Sequence, residues 1–340
     1  MTASRLVSAC RKLATAALAA TAGGCSGVQS ALNPGGPQAE LIARESGWLL
    51  GMGASVFAVT MAALAYAALH RRRAADPQSA NPSIARWVAA ALALTIAVLL
   101  TNVVVDMRTG RALADLPDRA RPDALTIEVT GHQWWWEIEY EHADPSRRLT
   151  TANELHIPVG RPVKIELRSA DVIHSFWVPG LHGKRDLIPG YSRPLWIQAD
   201  HAGVFRGQCA EFCGDQHANM ALLVIATAPA DFARWYAAQL LPARAPADAA
   251  ARVGQRVFLA NACVLCHTIR GTPAGGRVAP DLTHLASRRS LAAGTLPNTP
   301  PHRRAWVLDP QGIKPGVRMP AMILPARDAE ALFAYLDGLQ

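Results

Sequence analysis

The sequence lacks several features that mark common classes of protein. No run of basic residues is interleaved with aromatic residues, although the 340-residue chain has a formal net charge of +8. Internal repeats are also absent. None of the six cysteines remains for a disulfide framework, because all fall into pairs that have other predicted roles. These pairs are Cys10 and Cys25, Cys209 and Cys213, and Cys263 and Cys266. Neither nucleic-acid binding nor a disulfide-stabilised fold is therefore expected.

Residues 1–25 have the pattern of an export signal. Arg5, Arg11 and Lys12 precede a short apolar core that cannot span a bilayer. The small residues that follow end at Cys25 and resemble a bacterial lipoprotein cleavage box. Lipidation of Cys25 and ordinary cleavage a few residues later both remain open.

Half of the residues are hydrophobic, which is too many for an ordinary soluble enzyme. Trp48–Leu69 and Trp87–Val105 are each long enough to cross about 30 Å of hydrocarbon as a helix. The loop between them carries four arginines against one acid, Asp76, so the positive-inside rule places it in the cytoplasm. The chain after Asp106 and the mature N-terminus then lie outside. Two buried core helices are the alternative interpretation.

The composition divides the rest of the chain into a β-rich and a helical part. Residues 125–228 alternate between polar and apolar positions and contain glycine and proline turns, which predicts a β-sandwich or Greek-key barrel. From residue 251 the apolar spacing becomes helical. The predicted domains are a membrane hairpin with its N-terminal segment at 26–110, a β domain at 111–239, a linker at 240–250 and a helical domain at 251–340.

Cys263, Cys266 and His267 have the Cys-x-x-Cys-His spacing of covalent haem c attachment. The histidine is then the proximal iron ligand. A thioredoxin-like dithiol is the alternative, but it requires a βαβ setting that the sequence lacks. Met319, in a Pro-Gly and Met-Pro loop, is the predicted second axial ligand, and Met322 is its alternative. Two further histidines of this region, His284 and His302, are predicted to be surface residues.

A second cluster of soft metal ligands lies upstream of the haem motif. It contains two thiols, two imidazoles and a thioether, which select copper or zinc over calcium or magnesium. The residues are His174, Cys209, Cys213, His217 and Met220. A structural zinc site would need four of them. A single blue copper would leave one cysteine unused, whereas two coppers bridged by two thiolates would use all five.

Four segments resemble cytochrome c oxidase subunit II in the form with a fused C-terminal cytochrome c. They are residues 131–140, 171–179, 183–190 and 208–220. The resemblance implies a multi-domain membrane protein with a two-helix transmembrane hairpin, an all-β cupredoxin-like sandwich and an all-α class I cytochrome c domain. It also implies covalent haem c and a dinuclear CuA centre.

By motif position, Cys209 and Cys213 bridge the two copper ions, with His174 and His217 as terminal ligands. Met220 is a weak axial ligand, and the carbonyl of Glu211 is another. The Glu211 carboxylate corresponds to a magnesium ligand at the contact with subunit I. Trp134 corresponds to the residue at which electrons enter. Trp135 and Trp136 are expected to be aromatic residues buried in the sandwich.

The implied function is to receive electrons for a terminal oxidase. Electrons would pass from cytochrome c or another reduced donor to haem c, then to CuA and to the haem a site of subunit I. No oxygen-reducing centre lies in this chain. Subunit III is a further expected partner, and the bacterial inner membrane is the expected location. A short flexible linker would hold the haem domain at a roughly millimolar effective concentration.

Alternative functions remain. A membrane-anchored electron carrier and a copper-binding protein outside any oxidase are the other candidates. A nitrous oxide reductase would need a histidine-rich second copper domain, which the chain lacks. Residues 81–87 contain no acid, whereas the family often has a glutamate there for a proton path. The proton route in this protein is therefore open.

Overall fold

The computed structural model describes residues 27–70, 82–114 and 124–340. The predicted signal peptide, Cys25 and the arginines at 71–73 lie outside the described residues. The chain divides into two compact units, of which one is residues 40–119 and the other contains the remainder.

The first unit contains two long apolar helices, α1 (Pro37–Leu69) and α2 (Pro82–Ala114). Each is long and apolar enough to cross a membrane, and no residue of their most apolar windows is buried. The Trp48 indole donates to the Asn102 side chain over 2.9 Å, and the Asn102 amide contacts the Met52 sulfur at 3.1 Å. An exposed apolar surface of this kind is suited to lipid, so the predicted two-helix hairpin is confirmed.

The second unit begins with a β-sandwich of two five-stranded sheets. One sheet has the strand order β3-β2-β1-β5-β8 and the other has the order β4-β10-β9-β6-β7. The strands are β1 (Thr126–His132), β2 (Trp135–Tyr140), β3 (Leu149–Ala152), β4 (Glu154–Pro158), β5 (Val163–Ser169), β6 (His174–Trp177), β7 (Arg185–Leu187), β8 (Arg193–Ile197), β9 (Gly203–Cys209) and β10 (Ala221–Thr227).

Alternating side chains explain why these strands form a sandwich. In β1 and β5 every second residue is buried, as the sequence predicts, while β10 is buried on both faces. Trp136, Tyr140 and Phe176 are the largest fully buried side chains of the core between the sheets. The N-terminal segment packs on this domain, because Gly35 donates to Gly180 and Asp200 donates to Gly35. The predicted all-β sandwich is confirmed.

The C-terminal part is helical. Helix α3 (Pro229–Leu240) closes the sandwich, and α4 (Ala249–Ala260), α5 (Cys263–Cys266), α6 (Pro300–Leu308), α7 (Pro310–Ile313) and α8 (Ala326–Asp337) follow. A short hairpin joins β11 (Ser290–Leu291) to β12 (Leu296–Pro297). Helix α4 crosses α8 closely at Gly254, where a Cβ atom would lie 1.9 Å from the Ala331 carbonyl oxygen. Phe258 and Tyr335 pack edge to face beside this crossing.

The connection between the two domains is held by hydrogen bonds. Ala243 donates to the Arg270 carbonyl over 2.9 Å, and the Arg270 guanidinium donates to the Leu240 carbonyl over 3.2 Å. His284, predicted as a surface residue, is instead buried and bonds the Leu241 carbonyl at 3.1 Å. The segment expected to act as a flexible tether therefore lies bound to the helical domain.

Candidate metal and haem sites

Two strands and one loop bring the soft ligands together. His174 begins β6, Cys209 ends β9, and these strands are antiparallel neighbours with Phe176 opposite Cys209. Cys213, His217 and Met220 lie in the loop that leads from β9 into β10. Because the ladder sets the register of the strands, the imidazole and the thiol project from the same face of the sheet.

The donor atoms of these residues lie close to one another. The Cys209 and Cys213 sulfurs are 3.8 Å apart. His174 Nδ1 lies 3.9 Å from the Cys209 sulfur, and His217 Nδ1 lies 3.6 Å from the Cys213 sulfur. The Met220 sulfur lies 3.9 Å from that of Cys213, and the Glu211 carbonyl oxygen lies 3.2 Å from that of Cys209. Six donors therefore converge, more than the four that close a structural zinc site.

Asp171 orients the buried His174. Its Oδ1 lies 2.8 Å from His174 Nε2, which leaves Nδ1 free to face the sulfurs. The carboxylate also accepts the main-chain N–H groups of Gln133 and Val172, both at 2.7 Å. Burial raises the pKa of Asp171, but these hydrogen bonds outweigh it and the net pKa is lowered. The aspartate therefore stays ionised beside the imidazole.

A hydrogen bond between the two thiols couples their protonation. The hydrogen bond between them lowers the pKa of Cys209 and raises that of Cys213, so one thiolate forms first. Burial lowers the pKa of His174, yet the bonds to Asp171 and Cys209 raise it overall. The buried thiols and the buried His174 imidazole, with the partly exposed His217, fit soft metal ions such as copper.

The main-chain carbonyl of Cys213 connects this cluster with Trp134. The Trp134 indole donates to it over 3.0 Å, and the Gln133 amide donates over 2.8 Å. Trp134 is 8% exposed and also lines a cavity that residues of the β-sandwich and of the helical domain enclose together. A single aromatic side chain thus touches both candidate sites.

The cavity contains the residues predicted to hold haem. Cys263, Cys266, His267, Met319 and Met322 all line it, so both candidate axial methionines are present. Most of its other lining side chains are apolar, as covalent haem requires. The cavity therefore fits haem c.

His267 has a defined orientation in this cavity. Its Nδ1 lies 2.7 Å from the Pro280 carbonyl oxygen, and because a carbonyl only accepts, Nδ1 carries the proton. Burial lowers the pKa of His267, which keeps Nε2 unprotonated. A neutral Nε2 is what an iron ligand requires.

The remaining predicted residues have distinct environments. The Glu211 side chain is 43% exposed, with its carboxylate 3.5 Å from the Lys184 ammonium. Trp136 is fully buried, as expected, whereas Trp135 is half-buried and stacks on His132.

Sequence reasoning assigned no role to Asp171 or Lys314. Asp171 has a weak sequence signal, because it lies three residues before a predicted ligating histidine, and such histidines usually bond a carboxylate or a carbonyl. Lys314 shows no such signal, since its partners are main-chain carbonyls far away in the sequence.

Comparison with known proteins gives two family matches. A family model described as cytochrome c oxidase subunit II, periplasmic domain, matches residues 125–227, and one described as cytochrome c matches residues 251–340. The cytochrome c oxidase subunit 2 of Alkalihalophilus pseudofirmus is 35% identical over 337 residues, which cover 93% of each chain. That of Bacillus sp. strain PS3 is 31% identical and covers 73% of this chain and 72% of its own. That of Bacillus subtilis strain 168 is 30% identical, and the match covers 75% of this chain and 73% of the relative.

Proposed function

The chain belongs to the cytochrome c oxidase subunit II family, and from that premise we propose that it receives electrons at a fused haem c and passes them to a dinuclear copper centre of a haem–copper terminal oxidase. The observation that carries this proposal is the position of Trp134. Its indole lines the haem cavity and donates to the carbonyl of Cys213 in the copper-type cluster.

The copper centre would be held by the six donors described above. Cys209 and Cys213 would hold the two ions jointly through their sulfurs, His174 and His217 would be terminal ligands, and Met220 and the Glu211 carbonyl would be weak ligands. A copper pair held in this way would supply one-electron transfer with little change of structure. The chain contributes rigidity, because His174 and Cys209 lie on the paired strands β6 and β9 and His174 is held by Asp171.

Covalent haem c would be attached through Cys263 and Cys266, and His267 and Met319 would bind its iron. A histidine–methionine pair gives haem iron a raised reduction potential, which suits an electron carrier. The Pro280 carbonyl fixes the His267 tautomer. Met322 also lines the cavity and remains the alternative ligand.

The partners follow from the family. We infer association with the oxygen-reducing subunit I and with subunit III, and reduction by cytochrome c or another donor. The half-exposed Glu211 carboxylate is suited to a magnesium ion at the contact with subunit I. We place both outer domains on the periplasmic side of the bacterial inner membrane, anchored by the apolar hairpin.

Metal and haem analysis of the purified full chain tests the cofactors. We expect two coppers and one haem per chain, with the spectrum of a mixed-valence copper pair. Cys213→Ser removes one bridging sulfur and should abolish that spectrum while the haem spectrum is retained. A single bound zinc, or an unchanged copper spectrum in the variant, would contradict the dinuclear site.

The route through Trp134 is tested by the rate of electron transfer from haem to copper after a light-induced reduction. Trp134→Phe keeps an aromatic ring but loses the hydrogen bond to the Cys213 carbonyl, so transfer should slow. Trp135→Phe is the matched control, since Trp135 lines the same cavity and stacks on His132. Equal rates in the two variants would exclude the proposed route.

Membership of an oxidase is tested by purification from the native membrane. Co-purification with a haem a subunit supports the proposal. Isolation of the chain alone, with its copper and haem in place, would favour the rival function of a membrane-anchored electron carrier.

A further inference from the structure

Lys314 is a buried cation in a position that the electron-transfer chemistry does not explain. It precedes the loop that contains Met319, and only 2% of the residue is exposed. Lysine is almost never fully buried unless its ammonium is paired. The described part of the chain places no carboxylate in an ion pair with this lysine.

Three main-chain carbonyls replace the missing acid. The Lys314 ammonium donates to Trp134 O over 2.8 Å, to Asn219 O over 2.7 Å and to Ala292 O over 3.0 Å. Burial lowers the pKa of Lys314 to about 7, while the neighbouring Cys213 raises it. Three acceptors require three N–H donors, which only the charged ammonium has. The geometry is therefore that of a fully satisfied cation.

These carbonyls belong to different domains. Trp134 and Asn219 are part of the β-sandwich, next to the copper-type ligands in sequence or space, whereas Ala292 lies in the β11–β12 hairpin of the helical domain. Lys314 itself is in the helical domain. One side chain thus connects the loop of the candidate haem ligand with two main-chain carbonyls of the β-sandwich.

Other contacts between the domains surround Lys314. The Ala221 N–H donates to Ala293 O over 2.9 Å, and the buried Glu154 accepts the N–H groups of Arg289 and Ser290 at 2.6 and 3.0 Å. Arg277 and Glu139 form a further pair at 3.5 Å, but this arginine side chain is 78% exposed. Exposed pairs of this kind contribute little.

We propose that Lys314 is the positioning residue that fixes the cytochrome c domain on the β-sandwich, through its bonds to the Trp134 and Asn219 carbonyls, while its bond to the Ala292 carbonyl ties it to its own domain. The consequence, that Trp134 stays against the haem cavity, rests on the proposed function. The docking itself does not, because it follows from contacts within the chain alone.

Lys314→Met in the full-length, haem- and copper-loaded chain tests the docking. Methionine keeps a long side chain but removes the donor to the Trp134 and Asn219 carbonyls, whereas the Ala292 carbonyl keeps the Thr295 hydroxyl as a donor. A buried carbonyl that is left without a donor is costly. We expect amide hydrogen exchange at Ala221, Arg289 and Ser290 to be roughly tenfold faster or more. Exchange at Leu332, inside helix α8, should not change, and both cofactor spectra should be retained.

Arg277→Met is the matched control, because it removes a positive charge at the same interface from an exposed site. It should leave exchange at all four amides unchanged. Unchanged exchange at Ala221, Arg289 and Ser290 in the Lys314 variant would overturn the proposal. Equal acceleration at Leu332 would also overturn it, since that result indicates a role in the stability of the cytochrome domain rather than in docking.

Two further measurements keep the inference decidable. If the Lys314→Met chain does not incorporate its cofactors, Lys314→Gln replaces it, because glutamine retains two N–H donors. Amide exchange in this variant should accelerate measurably but less than tenfold. No acceleration of exchange would refute the docking role. Electron transfer from haem to copper is then measured in the same variant. Faster exchange with unchanged transfer would support the docking role of Lys314 and refute the route through Trp134.

Discussion

Asp171→Asn tests how the protein positions a copper ligand without altering any ligand. In the native chain, the carboxylate binds His174 Nε2 with one oxygen and the Gln133 N–H with the other. Asparagine has the same shape but offers a single acceptor oxygen. Either His174 or Gln133 must then face an amide N–H group, and one of them loses its partner.

The magnitude follows from the role of such partners. Removal of the group that orients a ligating histidine typically weakens metal binding about 10- to 100-fold. This corresponds to about 1.4–2.7 kcal/mol of binding free energy. His174 is fully buried, so water cannot replace the lost carboxylate. We therefore expect an effect near the upper end of the range.

Competition with a copper chelator measures this affinity in the purified full chain. Asp200→Asn is the control, because Asp200 is exposed and its carboxylate accepts a hydrogen bond from the nearby Gln198 amide. A copper affinity of Asp171→Asn that equals that of the control would refute the argument that the carboxylate orients His174.

Three other changes have defined outcomes. Gly254→Ala forces the α4–α8 crossing apart and should lower the free energy of unfolding by about 3 kcal/mol. Thermal unfolding followed at the haem band measures this change. Gly275→Ala, which has open space around it, should leave the stability unchanged. His156 has a pKa lowered to about 3 by burial, so below pH 6.5 the unfolded chain gains a proton that the folded chain does not. The free energy of unfolding should fall by about 1 kcal/mol for each pH unit below 6.5. His156→Phe should reduce this dependence of stability on pH. Met319→Ala should abolish the methionine-ligated haem spectrum, whereas Met322→Ala should preserve it.

Each of these expectations can be contradicted by one result. Equal melting temperatures of the two glycine variants would show that the helices can separate at no cost. An unchanged acid slope in the His156 variant would mean that another buried group sets it. Loss of the methionine-ligated haem spectrum in the Met322 variant alone would show that Met322, and not Met319, is the ligand.

The sequence predicted the chemistry of both sites better than their arrangement. The Cys-x-x-Cys-His motif and the cluster from Cys209 to Met220 are specific signals because their ligands are close in sequence. Such local spacing can be recognised without knowing how the chain packs. The alternation in β1 and β5 predicted the strands for a similar reason, since one buried face imposes a period of two. His284 was predicted wrongly because a single histidine carries no periodic signal.

Other features depend on residues that are distant along the chain. The bound connection near Leu241 and the three carbonyls around Lys314 are contacts of main-chain groups, which every residue possesses and which no motif encodes. The contact of Trp134 with Cys213 likewise joins two loops of the sandwich.

By itself, the sequence determined that this chain has two apolar spans, a set of soft copper-type ligands and a haem c motif, because side-chain chemistry and local periodicity are properties of the residues. Only the tertiary structure decided that the cytochrome domain lies docked on the sandwich and that one indole touches both sites. The reason is that docking depends on main-chain groups and burial, and these acquire their positions only when the chain has folded.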